Sequence, residues 1–206
     1  MVAAALAAAL RARGERVATV KPVLTGTDEP PDPVWPPDDE LLGAKVARRF
    51  GPPVSPHLAA ELAGEPIEPA ELVAIARVAA AGADVVVVEG VGGILVPLTP
   101  GYLVRDYARE LGLPLVVAAR PGLGTLNHTL LTLEAARAVA LEVRAVVLTP
   151  WPEQPSVMER SNHATIERLG AVPVLTLPVL PHPDPELLAA AGAPLIARGC
   201  CCHSVG

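Results

Sequence analysis

Residues 85–88 are four consecutive valines, preceded by Asp84 and followed by Glu89 and the run Gly90-Val91-Gly92-Gly93. β-Branched side chains favour extended backbone, and a run with no polar alternation leaves neither face for water. Such a strand needs cover on both sides, which means a parallel sheet sandwiched between helices. The valine run is therefore expected to be fully buried within an α/β domain.

The remaining pattern alternates in the same sense. The opening MVAAALAAALRARG places its charges after the apolar run, and no cleavage-site pattern follows, so it reads as an Ala-rich amphipathic helix closed by Gly14 rather than a leader. That helix starts with no capping residue ahead of it. Residues 16–20 alternate toward a strand ending at Lys21-Pro22, and 27–37 form an acidic, Pro-rich loop. A helix is predicted from Asp38 or Asp39 to Phe50, ahead of Gly51-Pro52-Pro53. Further helices are predicted after Ser55-Pro56-His57 and over 69–81, 102–111, 125–140, 156–169 and 184–191. Strands are predicted over 115–119, 144–148 and 172–177. Strands alternating with helices specify a parallel sheet with right-handed crossovers. No boundary-length linker or internal repeat divides the chain, so residues 1–206 are expected to form one domain with a disordered tail from about residue 196.

Composition excludes several functions. Sixteen basic against twenty-two acidic side chains give a net charge of −6 without a basic cluster, which argues against nucleic acid as a partner. No apolar stretch reaches the roughly 18 residues of a membrane span. The three cysteines, Cys200 to Cys202, are consecutive and cannot staple distant segments, so a reducing cytoplasm is the expected compartment. With aromatic residues at 2%, the core must be built from Ala, Val and Leu.

In an open α/β sheet, ligands bind outside the carboxyl ends of the strands, so the residues just past each strand are the candidates. Glu89 is a hard oxygen donor suited to Mg²⁺ beside phosphates, and Gly90, Gly92 and Gly93 let the backbone approach an anion. A tight turn with a solvated glutamate explains the same residues. Lys21, one of only two lysines, can neutralise a carboxylate or phosphate, or can simply snorkel from a sheet edge. Asp38 and Asp39 can ligate a metal or cap a helix. Gly122 to His128 read as a glycine loop running into a helix N-terminus, which favours anions, although Thr125 as an ordinary cap suffices. His57 reads as structural. No G-x-x-x-x-G-K-[ST], G-x-S-x-G or strand-following G-x-G-x-x-G occurs, so a phosphate site lacks its central cradle.

Four segments in order, KPVLTG (21–26), SPHLAAELAGEPI (55–67), VVVEGVGGILVPL (86–98) and GLGTLNHTLLT (122–132), resemble the dethiobiotin synthetases, over about residues 20 to 180. The combination is specific, whereas E-G-x-G-G alone is not. The resemblance implies a P-loop NTPase-like, Rossmann-like three-layer α/β sandwich and a homodimer. It implies a ligase of biotin biosynthesis that joins CO₂ to 7,8-diaminononanoate, phosphorylates the carbamate with ATP and Mg²⁺, and closes the ureido ring. Lys21 would be catalytic, with Thr25 beside it. Glu89 would bind Mg²⁺ with Asp38, or Asp39 in its place. Gly92 and Gly93 would line the substrate, and Gly124, Thr125, Leu126 and Asn127 would hold its far carboxylate across the subunit interface. Glu89, Gly90 and Gly92 would meet the nucleotide, as would Thr149, Pro150, Pro178 and Leu180.

Two departures stand out. The family's first strand and its G-T-D-T-x-x-G-K-T loop precede the helix that here begins at Met1, so the first strand is expected to be missing and activity impaired. Thr149 stands where the family usually has Asn for the adenine, which implies a relaxed or altered nucleotide preference. The competing expectations are another P-loop ligase of the cobyrinic acid diamide synthase type, or a truncated relative that binds substrate or dimerises without turnover.

Overall fold

The computed structural model describes residues 1–30, 36 and 38–200, Asp38 by its backbone alone. In chain order the first half comprises α1 (Val2–Ala12), β1 (Val17–Thr25), α2 (Asp38–Leu42), β2 (Lys45–Phe50), α3 (Pro56–Ala63), α4 (Pro69–Ala80) and β3 (Val85–Val88). A short antiparallel hairpin, β4 (Pro97–Thr99) and β5 (Tyr102–Leu103), leads to α5 (Val104–Leu111). The second half comprises β6 (Leu115–Ala119), α6 (Thr125–Arg137), β7 (Val143–Trp151), α7 (Val157–Gly170), β8 (Val174–Pro178) and α8 (Pro185–Ala197).

The parallel strands form two ladders, β2-β1-β3 and β6-β7-β8. Helices cover both faces. Val146 and Leu148 of β7 pack with Leu133 of α6 and Ile166 of α7, whereas Ala145 and Val147 turn to the opposite face, against α1 and α8. This is the period-two alternation of a strand applied to a two-sided core. On the first ladder, Val20 and Val23 meet α3, α4 and Tyr107 of α5. The layer of α1 and α8 serves both ladders: Val85 and Val87 of β3 and Val116 of β6 pack on the same cluster.

That shared layer explains the first helix. Val2, Ala4, Ala5, Leu6, Ala7, Ala9 and Leu10 are all buried, so α1 is enclosed on most sides rather than simply amphipathic. Its alanines allow close approach: a Cβ on Gly192 of α8 would fall 2.1 Å from the Ala5 carbonyl oxygen.

The structure corrects the sequence reading at several places. Residues 45–50 form β2 rather than the end of a helix. Gly43 takes a left-handed backbone (φ +62°) that stops α2, and the edge of β1 pairs Val20 with Lys45 through Thr25 with Phe50. Tertiary pairing overrides a local helical pattern here. The valines of β3 are half-buried rather than fully buried, because β3 pairs with β1 alone. Likewise β6 pairs only with β7, and its Ala118 is exposed. Among the described residues, both strands keep one open ladder edge, where backbone groups meet no strand partner. Finally, α8 continues to Ala197 and Cys200 is buried, its thiol pushed up to about 11 by burial. Only 201–206 of the expected tail, with Cys201, Cys202 and His203, lie outside the described residues.

Candidate functional site

The β1–β3 ladder builds the centre of the site. Val20 pairs with Val88, and the Glu89 N–H donates to the Val20 carbonyl at 2.9 Å, which carries the ladder one residue past the strand. This sets Glu89 beside Lys21, whose Nζ donates to Glu89 Oε1 at 2.9 Å. The Lys21 side chain is 6% exposed and the Glu89 side chain 20% exposed. Burying a lysine with so little water requires a charged partner, and Glu89 is one. The pair offers a cation to an anionic oxygen and a carboxylate to a hard cation, side by side at a strand end.

The glycine turn begins immediately behind Glu89. Gly92 has φ +65°, and a Cβ there would lie 2.9 Å from Val96 Cγ2, so the turn excludes any side chain. Gly93 faces open space, while a Cβ on Gly90 would make ordinary contact with Val104. The turn thus leaves its backbone at Gly93 open to a ligand.

The second candidate loop opens α6. Gly124 is its N-cap, at φ +91°, and the Thr125 hydroxyl is buried against Thr129 at 3.1 Å. Leu126 packs partly into the core beside α6 and α7, and Asn127 and His128 are exposed in the first turn. The free N–H groups of this turn and the helix dipole suit a carboxylate.

At the carboxyl ends of β7 and β8, Trp151 pairs with Pro178, and a cleft of about 440 Å³ lies between Trp151, Pro152, Glu153, Pro178 and Val179. Thr149 and Pro150 lead into it. Leu180 packs instead against the core beside α1 and α8. Thr25 ends β1 opposite Phe50. The side chain of Asp38 lies outside the described residues. Asp39 is buried, accepts from Arg49, and keeps its Oδ1 without a partner.

The structure therefore joins Lys21, Glu89 and the glycine turn directly, and keeps Asp39 engaged with Arg49. Sequence reasoning passed over Trp151 and Glu153, although each stands within four residues of Pro150. It also passed over Asn162, a lone amide in a helix with no local signal. For metal binding, no three His, Cys, Asp or Glu side chains converge among the described residues. A phosphate-bound Mg²⁺ needs only one or two protein carboxylates, and the partly exposed Glu89 fits that role.

A family model described as an AAA domain matches residues 1–186. The chain is 36% identical over 183 residues to "ATP-dependent dethiobiotin synthetase BioD" of Rhodococcus erythropolis, covering 86% of this chain and 81% of the relative. It is 40% identical over 181 residues to the protein of the same name from Mycobacterium sp. strain KMS, covering 82% and 77%. Against the Haloferax mediterranei protein of that name it is 37% identical over 196 residues, covering 90% and 81%. The chain belongs to the dethiobiotin synthetase family. Its parallel strands covered by helices are the α/β, P-loop NTPase-like fold expected of a dethiobiotin synthetase.

Proposed function

We propose that the chain is an ATP-dependent dethiobiotin synthase acting in the cytoplasm as a homodimer. The observation that carries this reading is the pairing of the buried Lys21 with Glu89, 2.9 Å apart beside the glycine turn. One amine of 7,8-diaminononanoate attacks CO₂ and loses a proton to give a carbamate. A carbamate oxygen takes the γ-phosphoryl group of ATP, with ADP leaving. The second amine then attacks the carbamoyl carbon, phosphate departs and the ureido ring closes.

Lys21 is assigned to the carbamate and the transferred phosphoryl oxygens, where negative charge accumulates. Such transfer needs positioning and cations more than covalent help. Thr25 stands four residues further along the same strand. Mg²⁺, when bound with ATP, supplies charge neutralisation at the phosphoryl oxygens. Glu89 would hold it, with Asp38 as second carboxylate, since Asp39 is already paired with Arg49. Backbone N–H groups of Gly92 and Gly93 are assigned to the substrate, and the α6 opening from Gly124 to Asn127 to its far carboxylate, reached across the dimer. Leu123, 94% exposed at the tip of that loop, is consistent with a neighbouring subunit there. The base of the nucleotide is assigned to the cleft at Trp151 and Pro178, past Thr149 and Pro150.

A second reading is favoured by the open edges of β3 and β6. In that reading the protein binds 7,8-diaminononanoate with impaired or no turnover. Titration calorimetry with the diamine, paired with an assay of ADP release, separates the two. Binding with ATP-dependent product favours the synthase as written, binding alone the second reading, and no binding removes both.

A further inference from the structure

Asn162 of α7 is 7% exposed and sends its side-chain amide across to the loop ahead of α6. Nδ2 donates to the Pro121 carbonyl at 2.9 Å and to the Gly122 carbonyl at 3.3 Å. These two carbonyls precede Leu123 and Gly124, and the Gly122 carbonyl also accepts from the Thr125 N–H at 3.2 Å. A single amide group thus ties down the entry side of the turn that leads into the first N–H groups of α6.

The helix that carries Asn162 is itself fixed. Ser156 Oγ accepts from the Glu159 N–H at 3.3 Å, and Glu159 Oε2 accepts from the Ser156 N–H at 2.7 Å, a reciprocal cap at the start of α7. At the other end, Arg137 of α6 donates to the Gly170 carbonyl, and a Cβ on Gly170 would fall 2.7 Å from Leu133 Cδ1. Contacts from α7 therefore hold α6 near both ends, and the Asn162 contact falls at the end proposed for ligand.

Resting on the assignment of the α6 opening to the substrate carboxylate, we infer that Asn162 is a positioning residue for 7,8-diaminononanoate. It touches no substrate. It holds the Pro121–Gly124 turn in the one arrangement that points the α6 N–H groups at the carboxylate. Without it, the buried Pro121 carbonyl loses its donor, the Gly122 carbonyl keeps only the Thr125 N–H and the turn relaxes, so the diamine loses affinity while the nucleotide does not.

The test is calorimetric binding to the full chain, with 7,8-diaminononanoate and a non-hydrolysable ATP analogue titrated separately. Asn162→Ala is expected to weaken the diamine about tenfold and the analogue by less than about twofold. Asn162→Gln keeps the donor on a longer stem and is expected to lose less, and it carries the comparison should the alanine variant not fold. Asn127→Ala, inside the α6 opening, is expected to weaken the diamine as well. Unchanged diamine binding in both Asn162 variants, with a loss in Asn127→Ala, overturns the inference alone. Unchanged binding in all three overturns the substrate assignment beneath it. Equal losses for diamine and analogue in Asn162→Ala mark a general structural role and overturn the inference.

Discussion

Lys21 and Glu89, 68 residues apart in sequence, form an ion pair of 2.9 Å that ties the middle of β1 to the residue just past β3. Removing one partner leaves the other charge with little water. Lys21→Met is expected to lower stability by about 3 kcal/mol, read from urea unfolding, and the double variant with Glu89→Gln to recover part of it. Either single change is also expected to cut dethiobiotin formation by two to three orders of magnitude, or roughly 3–4 kcal/mol of barrier. Stability loss with unchanged turnover would leave the pair a structural one.

Gly92 tests the glycine turn. Its φ of +65° and the 2.9 Å approach of Val96 Cγ2 act separately on an introduced methyl group. Gly92→Ala is expected to cost about 1–2 kcal/mol from backbone conformation, with a further loss from the clash. Adding Val96→Ala should return only the clash component. Thermal melting of the parent and the two variants distinguishes this from a turn that tolerates any residue.

The open ladder edges make a residue-level prediction for amide exchange. Val85 donates to the Arg16 carbonyl just ahead of β1 and Glu89 to the Val20 carbonyl within it, so by the strand's alternation the Val86 and Val88 N–H groups point away from β1. Leu115 donates to the Glu142 carbonyl, which turns Val116 and Ala118 away from β7. Hydrogen exchange is expected to be fast at Val86, Val88, Val116 and Ala118, and slow at Val87 and Val117. Uniform protection along both strands would show that the edges are paired.

Much of this was legible in the chain and some of it was not. The valine run, Lys21, Glu89 and the glycines all carry local signals, because strand propensity and turn chemistry act within a few residues. Residues 45–50 misled because Val46, Ala47 and Phe50 sit at helical spacing, while the outcome depends on the free edge of β1. The half-exposure of β3 was hidden for a related reason: sequence shows that a strand wants cover, not whether a neighbour is present to give it. Asn162 and Trp151 act through contacts made in three dimensions, and neither sits in a motif.

Arg16 and Asp84 give an acid-range prediction. The Arg16 guanidinium donates to the Asp84 carboxylate at 2.6 Å, and the Arg16 N–H adds a second donor, holding the Asp84 pKa down at about 2, below its usual 3.8. A carboxyl with a depressed folded pKa stabilises above its unfolded value and loses that contribution as pH falls through the folded one. The stability difference between the parent and Asp84→Asn is therefore expected to be constant above about pH 4 and to shrink between about pH 4 and pH 2. The pair is solvent-exposed, so added salt should reduce the difference. A difference independent of pH across that range would contradict the assignment.

The central claim is that Lys21 and Glu89, paired beside the glycine turn, form the reacting centre of a dethiobiotin synthase. The most direct measurement is dethiobiotin formation from 7,8-diaminononanoate, bicarbonate and Mg-ATP, followed by mass spectrometry. It compares the parent protein with Lys21→Met. The parent is expected to form dethiobiotin, and Lys21→Met to do so at least about a hundredfold more slowly. Equal rates in the two proteins, or no product from the parent, would contradict the claim.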